Sequence, residues 1–291
     1  MISQASLPPT RPPAPPDHWR RWWLTLLALT VVVAAGLLAG RSLHSEAAQL
    51  PAAPPSESPA EPVLEETTIP SPSATASPTP SKIPSLAAHQ LRLEGAVPTH
   101  GSGKFAYAMT RGAVLGTSGP LRRFRVAVEQ GSNEDVTEFA EQVVATLGDP
   151  RSWIGGGRLR LQMVAGGDPA DFTVFLATRD TAGRLCERGG TNIRINGVPY
   201  TSCRATGQAI INLDRWRLSA KPYLYAKIPL ATYRQYVINH EVGHELGHHH
   251  ENCPRAGGPA PVMVQQTLTT RGCKPYPWPR LGDDFLTGTA L

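Results

Sequence analysis

The chain has 291 residues, 41% hydrophobic and 18% charged, with 29 prolines and four cysteines. That apolar content is too high for a wholly disordered protein, and four cysteines are too few for a disulfide-built miniprotein of this length. The net charge of +5 is modest and the Lys and Arg residues are scattered, which argues against a nucleic-acid partner.

The residues are unevenly distributed. Sixteen of the prolines fall in the first 84 residues, and five of the nine histidines fall between His240 and His250. Residues 1–21 form a short tail ending in Arg20-Arg21. Residues 22–40, WWLTLLALTVVVAAGLLAG, carry no charge and no proline. As a helix this run spans about 28 Å, close to the hydrocarbon thickness of a bilayer. The preceding Arg11, Arg20 and Arg21 place the tail in the cytoplasm and everything after Gly40 outside. The expected arrangement is a single-pass transmembrane anchor with the C-terminal domain outside the cell. The alternative is secretion after signal cleavage at Ser45-Glu46-Ala47, against which the apolar run is long for a signal core. Residues 41–90 are rich in Pro, Ser, Ala, Thr and Glu with no apolar periodicity. They read as a disordered, partly extended linker that cannot bury enough surface to offset its ordering entropy.

Residues 91–291 read as one domain. Phe124, Val126 and Val128 alternate in RFRVAVE, a strand signal. Val136, Phe139, Ala140, Val143, Val144 and Leu147 recur at three- and four-residue steps, which predicts a helix capped by Asn133 and stopped by Gly148 and Pro150. Leu159, Leu161 and Met163 mark a second strand, FTVFLAT (172–178) a third, and AIINL (209–213) a fourth. A last helix is expected after Pro229, with Thr232 and Gln235 as a capping box and Gly247 as a left-handed stop. On it, Ile238, Val242 and Leu246 face the core while His240 and His244 share another face.

The run from His240 to His250 reads HEVGHELGHHH and contains H-E-x-x-H-x-x-G-x-x-H. Two imidazoles one helical turn apart can converge on one ion, and neutral imidazole suits Zn²⁺. Three protein ligands leave a fourth position for water, and Glu241 sits beside the first ligand where it can take that water's proton. Three ligands on one straight helix would stretch over about 12 Å, so His248 cannot join His240 and His244. If Gly247 turns the chain back, His250 approaches from another side. The expected metal set is therefore His240, His244 and His250, with His248 and His249 as rivals for the third place. A histidine-rich sequestering tract is the plain alternative, and it requires neither the Glu nor the Gly.

Met263 follows thirteen residues after His250 in PAPVMVQQT. On these residues the chain resembles the metzincin zinc endopeptidases, in which the long zinc motif is followed by a methionine-bearing turn beneath the metal. Through YRQYVINHEVGHELGHHHENCP, GPAPVMVQQT, RGCKPYPWP and INLDRW it also resembles a family of actinobacterial exported proteins of unknown function, over roughly residues 95 to 285. The resemblance implies an α+β, zincin-like single domain with a mixed twisted sheet and an active-site helix. It implies His240, His244 and His250 as zinc ligands, Glu241 as general base and Met263 as the turn methionine. Several metzincins carry a tyrosine two residues after that methionine; here the position is Gln265, so no such role transfers. Gln265 or Gln266 remains a possible hydrogen-bond donor at the site. The resemblance also implies an extended peptide substrate pairing with an edge strand, for which AIINL is the candidate.

All four cysteines follow the membrane segment, where disulfides are expected. Of the three connectivities, pairing neighbours is simplest: Cys186–Cys203 and Cys253–Cys273. The second would close a loop around Met263. Thiolate coordination by Cys253 is the rival. Trp153, Trp216 and Trp278 read as core or loop anchors, Asp214, Asp283 and Asp284 as surface or turn residues, and the Gly155–Gly157 and Gly189–Gly190 stretches as turns. The expected function is a membrane-anchored zinc endopeptidase acting on peptide or protein. The alternatives are a zinc-stabilised binding module of the envelope, which has no need of Glu241, and a hydrolase of cell-wall peptide cross-links.

Overall fold

A computed structural model describes residues 88–291. The tail at 1–21, the expected anchor at 22–40 and the linker up to residue 87 lie outside the described residues. Among the described residues no helix is long and apolar enough to cross a membrane.

In chain order the first half holds β1 (Phe105–Tyr107), β2 (Val114–Leu115), β3 (Leu121–Glu129), α1 (Val136–Leu147), β4 (Arg160–Met163), β5 (Phe172–Ala177) and α2 (Arg179–Arg188). Then come β6 (Arg194–Ile195), β7 (Val198–Pro199), β8 (Cys203–Ala205), β9 (Gln208–Asn212), α3 (Leu213–Leu218) and α4 (Lys221–Tyr225). The chain finishes with α5 (Leu230–Glu245), β10 (Arg280–Leu281) and β11 (Asp284–Phe285). The main sheet runs β2-β4-β3-β5-β9-β8, with β1 also on β3. Its centre, β4-β3-β5-β9, is parallel, whereas β2, β8 and β1 are antiparallel to their neighbours. The domain is thus a mixed α/β one built on a mixed sheet, as expected in outline.

Alternation along the strands divides the interior in two. Phe124, Val126 and Val128 of β3, Phe172, Val174 and Leu176 of β5, and Ala209 and Ile211 of β9 join the larger core with α1 and α5. The intervening Ala127, Phe175, Ala177 and Ile210 form a smaller core on the opposite face, with Ala182 and Cys186 of α2. The period-two rule thus builds both faces from the same strands.

Two helix starts differ from the sequence expectation. The cap of α1 is Asp135, whose carboxylate accepts from the Thr137 and Glu138 amides, while Asn133 sits at φ 61° in the turn before it. The capping box at Thr232 and Gln235 does not form, because α5 already begins at Leu230. Its first N–H donates instead to the carbonyl of Gln90 at 2.7 Å, so a distant backbone segment satisfies an otherwise orphaned donor. One strand assignment also changes meaning. AIINL is β9, but β5 and β8 flank it on both sides, so it offers no free edge. The edge belongs to β8, which is too short for its alternation to register in the sequence.

Both disulfides form as neighbours, Cys186–Cys203 and Cys253–Cys273. No free cysteine remains, so Cys253 is not a metal ligand. Asp214, expected at the surface, is buried and pairs with Arg179 at 2.6 Å. Trp153, Trp216 and Trp278 are buried anchors.

Replacing Asp135 by Ala should lower the unfolding free energy by about 1 kcal/mol in urea titration, the cost of a lost cap. Gln235→Ala, at the position of the capping box that does not form, should change it by less than about 0.5 kcal/mol.

Candidate metal centre

Helix α5 is buried around almost its whole circumference, from Leu230 to Gly243. Two of its buried polar residues, Arg234 and Asn239, are committed to partners. Arg234 donates to the Trp216 carbonyl and lies 4.1 Å over the Trp216 ring; burial lowers its pKa to about 10. Asn239 accepts from Ser152 and donates to the Pro277 carbonyl, while its own carbonyl accepts from Trp153 Nε1. These contacts fix the rotation of α5, and with it the direction in which His240, Glu241 and His244 project.

Gly243 lies between the two histidines of the helix. A Cβ there would sit 2.6 Å from Trp153 Cζ2 and 2.7 Å from Met263 Sδ. The missing side chain lets an indole and a thioether press on the helix backbone. Helix α5 then ends as a Schellman motif. Gly247 has φ +94°, its N–H donates to the His244 carbonyl, and the His248 N–H reaches back to the Gly243 carbonyl at 2.9 Å. The reversal carries His248 out to stack on Trp153, with centroids 4.2 Å apart, and returns His250 to the helix face.

His240, His244 and His250 converge there, with one ligand atom from each lying within 4.8 Å of the others. His244 Nε2 and His250 Nε2 are 3.1 Å apart. Two nitrogens bound about 2.05 Å from a tetrahedral ion would be about 3.3 Å apart, so the spacing fits a zinc-sized cation. The tautomers fit as well. His240 Nδ1–H donates to the Val262 carbonyl at 2.7 Å and His244 Nδ1–H to the His248 carbonyl at 2.8 Å. A carbonyl can only accept, so each Nδ1 carries the proton and each Nε2 presents a lone pair. Burial holds the His240 pKa well below its ordinary value, and burial with the neighbouring His244 brings His250 to about 4. Neutral imidazole is the ligating form, so these three residues could hold a metal ion.

Glu241 lines the same cleft, is 4% exposed, and makes no hydrogen bond to the described residues. Burial raises its carboxyl pKa well above the usual range. A cation held by the three imidazoles would oppose that penalty and favour the carboxylate.

The loop after His250 braces the centre from beneath. Val262 holds His240, while the Met263 carbonyl accepts from the Glu251 N–H beside His250. One turn thus fixes both ligand-bearing segments. Met263 is buried, with its sulfur against Gly243. Gln266 is fully buried and belongs to this brace. Its amide donates to the Pro261 and Tyr276 carbonyls and accepts from Tyr223 Oη and the Tyr276 N–H. Gln265 instead lines the cleft. On the outer side, the Leu291 N–H donates to the His250 carbonyl and the Gly288 N–H to Glu251.

The cleft measures about 350 Å³ and opens between this loop and the segment from Thr191 to Arg204. That segment includes the β6–β7 hairpin, whose turn residues Asn196 and Gly197 have φ 51° and 82°. Asn-Gly between Ile195 and Val198 is a strong hairpin signal that could have revealed it from sequence. Glu245, 4% exposed at its side chain, ties α5 to the β8–β9 hairpin by accepting from Arg204 Nε at 2.8 Å and from the Gly207 and Gln208 amides at 3.2 Å. Nothing in the sequence marks this clamp, since its partner lies 41 residues away.

The family described as a protein of unknown function (DUF3152) matches residues 92–277. The chain belongs to the DUF3152 family. No curated protein and no solved structure matches the chain. The matched stretch of the DUF3152 domain contains all three histidines, Glu241, the brace at Met263 and the wall carrying Arg204.

Gly243→Ala should destabilise the domain by about 1–3 kcal/mol in urea titration through overpacking, even though helix propensity alone favours Ala by about 1 kcal/mol. Metal titration against a competing chelator should separate the histidines. His250→Ala should weaken affinity more than about 100-fold, beyond the usual effect of an outer-shell change, whereas His248→Ala should leave it nearly unchanged.

Proposed function

We propose that this DUF3152 domain is a zinc-dependent endopeptidase with a metzincin-like centre. The observation that carries the reading is the convergence of three imidazoles, two of them fixed with an Nε2 lone pair facing inward, beside a buried, unpartnered Glu241 at the wall of an open cleft. Three histidines suit zinc over harder cations, and a three-ligand site leaves a position for solvent.

When bound, zinc supplies a Lewis acid that polarises the scissile carbonyl and lowers the pKa of its water. Glu241 accepts the proton of the attacking water and passes it to the departing amine, a role suited to a carboxyl whose pKa lies above the usual range. The carbonyls of Val262 and His248 hold the imidazoles in the ligating tautomer throughout. A binding module stabilised by metal would need the three histidines alone, and it gives no reason for a carboxylate desolvated beside them.

The substrate is an extended peptide. Edge strand β8 supports this, because its outer side is unpaired among the described strands and its residues Cys203 and Arg204 line the cleft. Strand addition would lay a peptide along the wall above the histidines. The two disulfides suggest an oxidising, extracytoplasmic setting. With residues 22–40 as the anchor, the domain would act outside the membrane.

The deciding experiment uses zinc-loaded full-length protein and a mixed peptide library read by mass spectrometry, with and without chelator. Glu241→Gln should keep one equivalent of zinc and lose about 10²–10⁴-fold in turnover. Cleavage undiminished by that change would refute the role of Glu241.

A further inference from the structure

The wall of the cleft opposite the metal brace carries two arginines, and its chemistry is not used by the histidines or by Glu241. Strand alternation sends Cys203 and Ala205 into the small core on the far side of the sheet, so Arg204 between them projects toward α5 and the cleft. Its Nε is committed to Glu245 at 2.8 Å, and Glu245 is in turn held by the Gly207 and Gln208 amides. The guanidinium is thereby held in one orientation while 39% of the side chain stays exposed. Neither Nη has a hydrogen-bond partner among the described residues, leaving up to four N–H donors.

Arg194, on the β6–β7 hairpin, lines the same cleft. One of its Nη atoms donates to the Gly197 carbonyl, and its nearest acid, Glu187, is 3.8 Å away and largely exposed. Among the residues lining the cleft, Glu241 is the sole carboxylate. A bound divalent cation would add further positive charge. Guanidinium donors whose Nη groups are free of the lone acid in the cleft, on a side chain held at Nε by Glu245, are what a carboxylate ligand requires.

We propose that the cleft selects peptides bearing a carboxylate, received end-on by the two Nη groups of Arg204, with Glu245 as the residue that positions it. This rests on the peptidase reading for its choice of peptides as ligands. The carboxylate can come from an acidic side chain or from the end of a chain, and both present the same two oxygens.

The test separates binding from turnover. Zinc-loaded full-length Glu241→Gln protein is titrated with fluorescent peptides of one parent sequence. One is neutral and C-terminally amidated, a set carries a single glutamate moved along the amidated parent, and one ends in a free carboxylate. At least one carboxylate peptide should bind about tenfold more tightly than the neutral parent, the gain of a charge-assisted hydrogen bond, and the arm that gains identifies the source. Arg204→Gln should reduce that gain to less than about twofold while sparing the neutral parent, and Arg204→Lys should retain part of it. The gain should also collapse at 1 M salt, where the screening length is about 3 Å, a readout that needs no change at Arg204. The inference is overturned if no carboxylate peptide gains affinity, or if the Arg204 variants weaken every peptide equally, as loss of a purely structural clamp would. Wild-type cleavage of the neutral parent judges the peptidase reading separately. Cleavage without a carboxylate gain would leave that reading and remove this one, and a gain without cleavage would do the reverse.

Discussion

Two backbone carbonyls, those of Val262 and His248, decide what the histidine cluster can do. Each accepts from an Nδ1, and each thereby turns an Nε2 lone pair toward a common point. Neither carbonyl is available by chance. The Val262 oxygen is placed by a turn pinned through Gln266, Tyr236 and Tyr276, and the His248 oxygen by the left-handed residue that ends α5. Without the Schellman reversal at Gly247, His248 would continue the helix and its carbonyl would not face His244. The same reversal that brings His250 round therefore also orients His244, and one glycine conformation sets two of the three imidazoles that could hold a metal ion.

The burial of α5 explains the electrostatics. A helix enclosed on nearly all sides removes water from His240 and Glu241 together, with opposite consequences for the two. The imidazole is pushed toward its neutral, ligating form, and the carboxyl toward its protonated form. A divalent cation is compatible with the first and compensates for the second. Metal binding and the ionisation of Glu241 would thus be linked, because a cation held by the three imidazoles would stabilise the carboxylate. Gly243 matters to the same enclosure, because a side chain there would separate α5 from Trp153 and Met263 and open the helix to solvent.

What was legible in the sequence followed from periodicity and from spacing. The long strands β3, β5 and β9 and the helices α1 and α5 carry enough apolar repeats to stand out, and HEVGHELGHHH encodes two ligands one turn apart. Tertiary partners decided the rest. Pro229 and the Gln90 carbonyl set the start of α5 where a local capping box was expected, since a donor can be satisfied from anywhere in the fold. The edge of the sheet was misplaced because β8 is three residues long, and a run of three cannot show alternation. Arg204 and Glu245 escaped notice for a further reason. Either residue alone reads as surface charge, and only the folded chain brings them to 2.8 Å with the oxygens of Glu245 shared among three donors.

The two disulfides complete the argument about the cleft. Both of its walls are made largely of loop and short hairpin, elements whose ordering costs backbone entropy that few buried contacts repay. Cys203 ends one wall and is tied across 17 residues to α2, so the β6–β7 hairpin hangs within a closed loop. Cys253 follows the third histidine and is tied across 20 residues to Cys273, so the Met263 turn hangs within another. Closing loops of this size removes about 3 kcal/mol of unfolded-state freedom each on the chain-entropy account. The cross-links thus fall on the two segments that face each other over the histidines, not on the sheet, which the parallel strands and the two cores already hold. Rigidity is supplied from outside the regular structure to the walls of the cleft, and reduction of either bond would loosen a wall before it loosened the core.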